Sequence, residues 1–324
     1  MPIAVIIPCY RVRNHISDVV NGLVDLVDAI YIVDDCCPEN TGEFVEGTFK
    51  HDKIIVLRHK ENLGVGGALV TGYRAAARDG HKILVKMDGD DQMDPAYLKA
   101  LVAPIFAGQA DYTKGNRFYS LRHLDQMPKT RLLGNAVLSL VNKISSGYWN
   151  LMDPTNGYTA IHSSILGLLP LEKLSQRYFF ESDMLFRLGT IRAVVKDVPI
   201  PSRYGDEKSS LNIFKVSMTF PMMYGSRFIK RILYTYFIRD LSVGSMELVL
   251  GLALFLAGTL LGVYEWTSSA TAHMPATSGT VMLAALPIML GFQLLLSAVI
   301  FDVNNVPTSP LHPQLPDNYG ADFG

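Results

Sequence analysis

Ile83-Leu84-Val85-Lys86-Met87-Asp88-Gly89-Asp90-Asp91-Gln92 is a five-residue apolar, β-branched run that breaks into three aspartates and a glutamine. Ile83 to Met87 has the length of a strand, so the acids fall where a strand ends. A single Asp at such a point is usually a turn or cap residue. Several together repel one another unless a cation or hydrogen-bond donors compensate. Their oxygen-rich make-up suits Mg2+ or Mn2+, which proteins hold by one or two carboxylates together with substrate phosphates.

The same pattern recurs on the N-terminal side. Ile3–Ile7, Ala29–Val33 and Lys53–Leu57 are further runs of strand length, and helical stretches occupy His15–Val27, Gly66–Ala77 and Pro95–Phe106. Alternating strands and helices predict an α/β fold with a mostly parallel, Rossmann-like sheet covered on both faces. Ligands of such sheets lie beyond the carboxyl ends of the strands. The first strand is followed there by Pro8-Cys9-Tyr10-Arg11, and the second by Asp34-Asp35. Glu61-Asn62-Leu63-Gly64-Val65-Gly66-Gly67-Ala68 leads into a helix. Its glycines serve either close packing or a loop that turns N–H groups toward a ligand. It is not a P-loop, because no Gly-Lys-Ser/Thr follows.

Composition narrows the class. In 324 residues, 29 Lys and Arg balance 30 Asp and Glu, which disfavours nucleic acid as a partner. Mean hydropathy is +0.20, and the apolar excess lies near the C-terminus. Leu248–Tyr264 and Val281–Phe301 are uncharged and close to the roughly 20 residues that cross a bilayer as a helix. They predict two spans at about 246–265 and 281–301 within a 243–303 hairpin. Ile213 to Asp240 mixes Phe and Tyr with Arg227, Lys230, Arg231 and Arg239, as expected of amphipathic interface helices over 212–242.

The connector Glu265–Thr280 carries no Lys or Arg, so the positive-inside rule puts it outside and residues 1–211 in the cytoplasm. Met1 to Tyr10 runs straight into a strand pattern, and no signal peptide is expected. Three cysteines, two of them adjacent, suit a reducing compartment. Asn304 to Gly324 is rich in Pro, Asn and Gly and is expected to be a disordered cytoplasmic tail.

Taken in order, Val5–Arg11, Asp34-Asp35, Glu61–Gly67 and Asp88–Pro95 resemble glycosyltransferase family 2. Gly115-Asn116-Arg117-Phe118 and Arg203–Leu211 are similar to the dolichol-phosphate mannose synthase and bacterial polyprenyl-phosphate glycosyltransferase branch, including its two-span members. The resemblance covers the first two-thirds of the chain and implies a GT-A-type catalytic domain. By implication Pro8, Tyr10, Asp34, Asp35, Gly66, Asp88 and Gly89 bind the nucleotide-sugar, and Asp88, Asp90 and Gln92 hold the metal. Asp90, Arg117, Arg131, Arg203 and Lys208 serve catalysis and the donor or acceptor phosphates, and Glu181 and Asp183 lie toward the acceptor. Two departures stand out: Tyr10-Arg11-Val12 replaces a common Tyr-Asn-Glu, and Asn156-Gly157-Tyr158-Thr159 a common Gly-Phe-Arg.

The implied reaction is inverting transfer from a nucleotide-sugar, UDP favoured over GDP, to a polyprenyl phosphate at the inner face of a cell membrane, in cell-envelope polysaccharide biosynthesis. A homo-oligomer and a separate flippase complete the expected partners. The alternatives are transfer to a hydroxyl of a lipid-linked saccharide, with Asp183 or Asp91 as base, and a non-catalytic scaffold that binds nucleotide-sugar.

Overall fold

The computed structural model describes residues 1–119, 129–201, 213–316 and 319. Its sheet has seven strands: β1 (Ile3–Cys9), β2 (Ala29–Asp34), β3 (Ile54–Arg58), β4 (Ile83–Lys86), β5 (Tyr112–Asn116), β6 (Thr159–His162) and β7 (Val195–Pro199), in the order β3-β2-β1-β4-β6-β5-β7. The four strands expected from the sequence form the parallel half, in which β1 pairs with both β2 and β4. The continuous apolar runs of β1, β2 and β4 are explained by burial on both faces: Val5, Ile7, Ile30, Ile32, Ile83 and Val85 lie in one core cluster, and the alternate residues Ala4, Ile6, Tyr31, Val33 and Leu84 are also fully buried.

The second half was not foreseen. β6 runs antiparallel to both β4 and β5, and β5 is parallel to β7. The sheet is therefore mixed. Helices α1 (Ile16–Leu23), α2 (Thr41–Thr48), α3 (Gly64–Arg78) and α4 (Leu98–Phe106) accompany the first four strands. They are followed by α5 (Lys129–Ser146), the single turn α6 (Ser163–Leu166) and α7 (Phe180–Ile191). Because β2 and β4 lie on opposite sides of β1, the strand order reverses between β1 and β4, and a crevice opens beyond their carboxyl ends.

The chain divides into two compact units, 1–228 with 307–324, and 229–306. Helix α8 (Ile213–Leu233) spans the boundary. In the second unit a π-helical turn (Tyr234–Arg239) precedes α9 (Val243–Ala272) and α10 (Ser278–Asn304). Both long helices have the length and composition to cross a membrane, and each exceeds the span expected for it. They pack antiparallel through glycines: a Cβ on Gly291 would lie 2.5 Å from Phe255 N, and one on Gly258 2.8 Å from Ala284 O. Small residues at such a seam let helix backbones meet where no hydrophobic drive exists. At one end Arg231 forks onto Asp302 (2.7 and 3.1 Å), which also accepts from Tyr236 Oη (2.5 Å).

The tail corrects an expectation. Composition predicts disorder from Asn304 onward, but α10 continues through Asn304 and His312 is buried in the first unit. Its ring stacks on His162 with centroids 4.5 Å apart. Asp111 accepts from Leu311 N (2.9 Å), His312 N (2.8 Å), His312 Nδ1 (2.9 Å) and Val194 N (2.8 Å). Burial alone would raise the Asp111 carboxyl, but these hydrogen bonds, led by the His312 side chain, hold it below the usual carboxylate range. A folded pKa below the unfolded one contributes stability above pH ~4 that is lost as pH falls through the lowered value. His312→Ala should therefore speed amide exchange at Leu311–Leu315 at neutral pH, at a cost of about 1–3 kcal/mol for the lost hydrogen bond to a charged group. Wild-type tail amides should lose protection only in acid.

Candidate active site

Beyond the ends of β4 and β5, Asp88, Asp90, Gln92, Met93, Arg117, Thr155, Asn156, Gly157, Tyr158, Ile200 and Pro201 line a cavity of about 140 Å3. A whole small-molecule site is usually some 300–1,000 Å3, so this one holds one end of a ligand. The turn after β4 is self-supporting. Gln92 N donates to Asp90 Oδ1 (3.1 Å), Asp88 N to Met93 Sδ (3.3 Å), and Asp91 takes a left-handed φ of 60°. Asp88, Asp90 and Gln92 thereby share one wall. Among the described residues no set of three or more His, Cys, Asp or Glu side chains forms a metal cage. Two carboxylates and an amide oxygen fit a hard cation that takes further ligands from substrate phosphates.

Arg117 also lines the cavity. Its Nε donates to Asp153 Oδ2 (2.7 Å), its Nη2 to Asp153 Oδ1 (3.0 Å), and its backbone N also reaches Asp153 (3.3 Å). Burial would raise the Asp153 carboxyl, but the Arg117 fork reverses this and holds it down. Asn116 shapes the same turn, accepting from Phe118 N (2.8 Å) and donating to Asp197 (2.8 Å). Sequence reasoning missed Asp153. The only signal was an acid before Pro154.

Two further misses lie beneath the cavity. Lys86, Thr159, Lys114 and Asp197 are in register across β4, β6, β5 and β7. Lys86 is 1% exposed, with Nζ 2.9 Å from Asp88 Oδ1 and 3.3 Å from Glu181 Oε1. Burial lowers its pKa, but the two carboxylates more than offset that and raise it above the ordinary lysine value. Lys114 Nζ donates to Asn156 O, and burial pulls its pKa down to about 8 against the pull of Asp153, Glu181 and Asp197. For Lys86 the sequence signal was a lysine in an otherwise apolar strand; polar β5 offered none for Lys114.

A Cβ on Gly157 would collide with Lys86 Nζ and come within 2.8 Å of Asp88 Oδ2. Gly157→Ala should therefore push the Lys86–Asp88 pair apart and lower turnover about tenfold or more, given the sensitivity of such supporting contacts. Steady-state kinetics on variant protein shown by circular dichroism to be folded would check it.

Other expected site residues take different places. Asp34 is buried and accepts from Cys37 N and Gly42 N, both at 2.7 Å. Asp35 is buried and accepts from Leu63 N (2.9 Å) and Gly64 N (2.7 Å), with His59 Nδ1 at 2.7 Å. Both carboxylates are turned inward to shape the loops instead of presenting an open face to a ligand. Gly66 also departs from the ligand-binding reading: its N–H donates to Gln176 O (2.8 Å), and its Cα packs on the Ser175 carbonyl, so the glycine-rich turn serves close packing.

Gly89 is buried against Val12; Pro8 is half-buried, and Tyr10 is exposed beneath the Arg11 guanidinium. Asp183, expected at the acceptor side, is 0% exposed and clamped by Arg187, Arg227 and Ser175 N. It is turned into the fold because α7 is buried without interruption from Ser182 to Leu188, and two guanidiniums meet it there. Arg131 lies on α5, with its side chain outside the described residues, as are Arg203 and Lys208 entirely.

Half of the chain, residues 4–168, matches the profile of Glycosyl transferase family 2. The chain belongs to that family. It is thus a glycosyltransferase, and relatives place it within a branch. A UDP-N-acetylglucosamine–dolichyl-phosphate N-acetylglucosaminyltransferase of Methanococcus voltae is 30% identical over 216 residues, covering 62% of this chain and 86% of that one. An undecaprenyl-phosphate mannosyltransferase of Micrococcus luteus is 29% identical, covering 62% and 83%. A polyprenol monophosphomannose synthase of Mycolicibacterium smegmatis is 28% identical, covering 60% and 75%. The fold of this family 2 member resembles glucosyl-3-phosphoglycerate synthase from Mycobacterium tuberculosis in complex with UDP (TM-score 0.54, 20% identity, covering 70% and 80%). That likeness establishes the GT-A-type fold.

Proposed function

We propose that this glycosyltransferase moves a sugar, with inversion, from a nucleotide-sugar to a polyprenyl phosphate at the cytoplasmic face of a membrane. The observation that carries this is the cavity that Asp88, Asp90 and Gln92 line together with Arg117. Carboxylates alone would repel a diphosphate. Mg2+ or Mn2+ held by Asp88, Asp90 and Gln92 would reverse that sign and offset the charge on the leaving nucleoside diphosphate. Arg117, its fork fixed by Asp153, is set to meet phosphate oxygens without reorganising during the reaction. An acceptor phosphate oxygen bonds to the anomeric carbon as the bond to the diphosphate breaks, and the leaving group keeps the electron pair.

The carboxylates of α7 favour an acceptor that is already ionised. Asp183 is enclosed by arginines, and Glu181 pairs with Lys86. Neither is set to take a proton from a hydroxyl. A phosphate monoester, with a second pKa near ~6, brings its nucleophile formed at neutral pH. The name of the M. voltae relative supports a UDP-sugar as donor.

The two apolar helices support membrane association, and the segments that precede and follow them share one compact unit, as a hairpin that enters and leaves on one side would require. The Lys/Arg asymmetry favours the cytoplasm for that side. Purified full-length protein, given a panel of UDP- and GDP-sugars with undecaprenyl phosphate, should yield a lipid-linked sugar monophosphate by mass. Product from no member of the panel would contradict the reading.

A further inference from the structure

β4 ends on a lysine that the chemistry above leaves without a part. Burying an ammonium is costly unless its charge is matched. Of the two counter-charges of Lys86, Asp88 belongs to the acidic turn that lines the cavity and Glu181 to the first turn of α7. Gly157 closes over the pair, leaving no room for a side chain above Lys86 Nζ and Asp88 Oδ2. Lys86 thus holds Asp88 Oδ1 while Gly157 packs beside Oδ2, so the carboxylate is confined between the two.

We propose that Lys86 is a positioning residue of the transfer reaction. It orients the Asp88 carboxylate that would hold a divalent cation, and it ties Glu181 of α7 to the same point. The inference rests on the function proposed above and adds a residue to it. Orientation and charge make opposite predictions. If Lys86 merely neutralised these two acids, its removal would take a positive charge away from the cation and tighten binding. If it orients Asp88, its removal loosens binding, because partners of metal ligands typically contribute 10- to 100-fold in affinity.

The test compares full-length wild type, Lys86→Met and Lys86→Met/Glu181→Gln. The double variant removes one charge of each sign, so it keeps the test alive if the single variant does not fold. Calorimetric titration with Mn2+ in the presence of UDP, and of GDP in parallel, is read beside melting temperature and the split of kcat against KM for the donor. Binding of Mn2+ should weaken about tenfold or more in the folded variants, with kcat falling more than KM rises. Binding unchanged or tightened, at any melting temperature, would overturn the positioning role. Wild type that binds neither Mn2+ with UDP nor Mn2+ with GDP would overturn the site reading, and the proposal with it; that failure is distinct because it appears before any substitution.

Discussion

Asp90→Asn should lower sugar transfer by about 100-fold or more while the protein keeps its fold, the usual scale for removing one preorganised electrostatic group from a site. Asp90 lines the cavity and accepts from Gln92 N. Asparagine retains a carbonyl oxygen for that bond, so the turn after β4 survives while its charge does not. Wild type in excess EDTA should lose activity to a similar degree and regain it with Mg2+ or Mn2+. Circular dichroism and the melting temperature should be unchanged for both. Full turnover in EDTA would remove the cation from the account.

Asp183→Asn should act on stability rather than chemistry. The Asp183 carboxylate accepts from Arg187 Nε (3.2 Å) and Nη2 (3.1 Å), from Arg227 Nε (2.6 Å) and from Ser175 N (2.9 Å), with none of its side chain exposed. The amide keeps the shape but leaves two largely buried guanidiniums without a counter-charge. Breaking a buried pair by removing one partner typically costs about 3–5 kcal/mol. Denaturant melts of the full chain should show that loss, and protein that remains folded should turn over at nearly the wild-type rate. Unchanged stability with lost activity would instead return Asp183 to the acceptor side.

The contrast between Asp90 and Asp183 shows what the sequence could and could not say. β1 to β4 were legible because each is an apolar, β-branched run followed by a local helix, and the Asp88–Gln92 turn follows directly from such a run. β5 to β7 were not, because Tyr112-Thr113-Lys114-Gly115-Asn116 carries buried polar side chains that interrupt any apolar pattern. Their pairing also depends on an antiparallel strand inserted from further along the chain.

An acid at a strand end looks the same in sequence whether it faces a ligand or turns inward, and so Asp34 and Asp35 could be given a donor-binding part. For Asp183 a clue existed in Arg187, one helical turn on, but Arg227 lies 44 residues away. The tail misled through composition: Pro-rich sequence suggests disorder, while the Asp111–His312 bond that orders it joins residues 201 apart.

The central claim is that the nucleophile is a lipid phosphate and that the acidic turn holds a cation for the leaving diphosphate. Its most direct test measures transfer by the purified full-length protein, from its best nucleotide-sugar and with Mg2+ or Mn2+ present, to undecaprenyl phosphate and to undecaprenol side by side. The account predicts a sugar phosphodiester from the phosphate, abolished by EDTA, and no product from the alcohol, whose proton neither Asp183 nor Glu181 is set to take. Equal transfer to the alcohol, or product only when a lipid-linked saccharide is supplied, would contradict it.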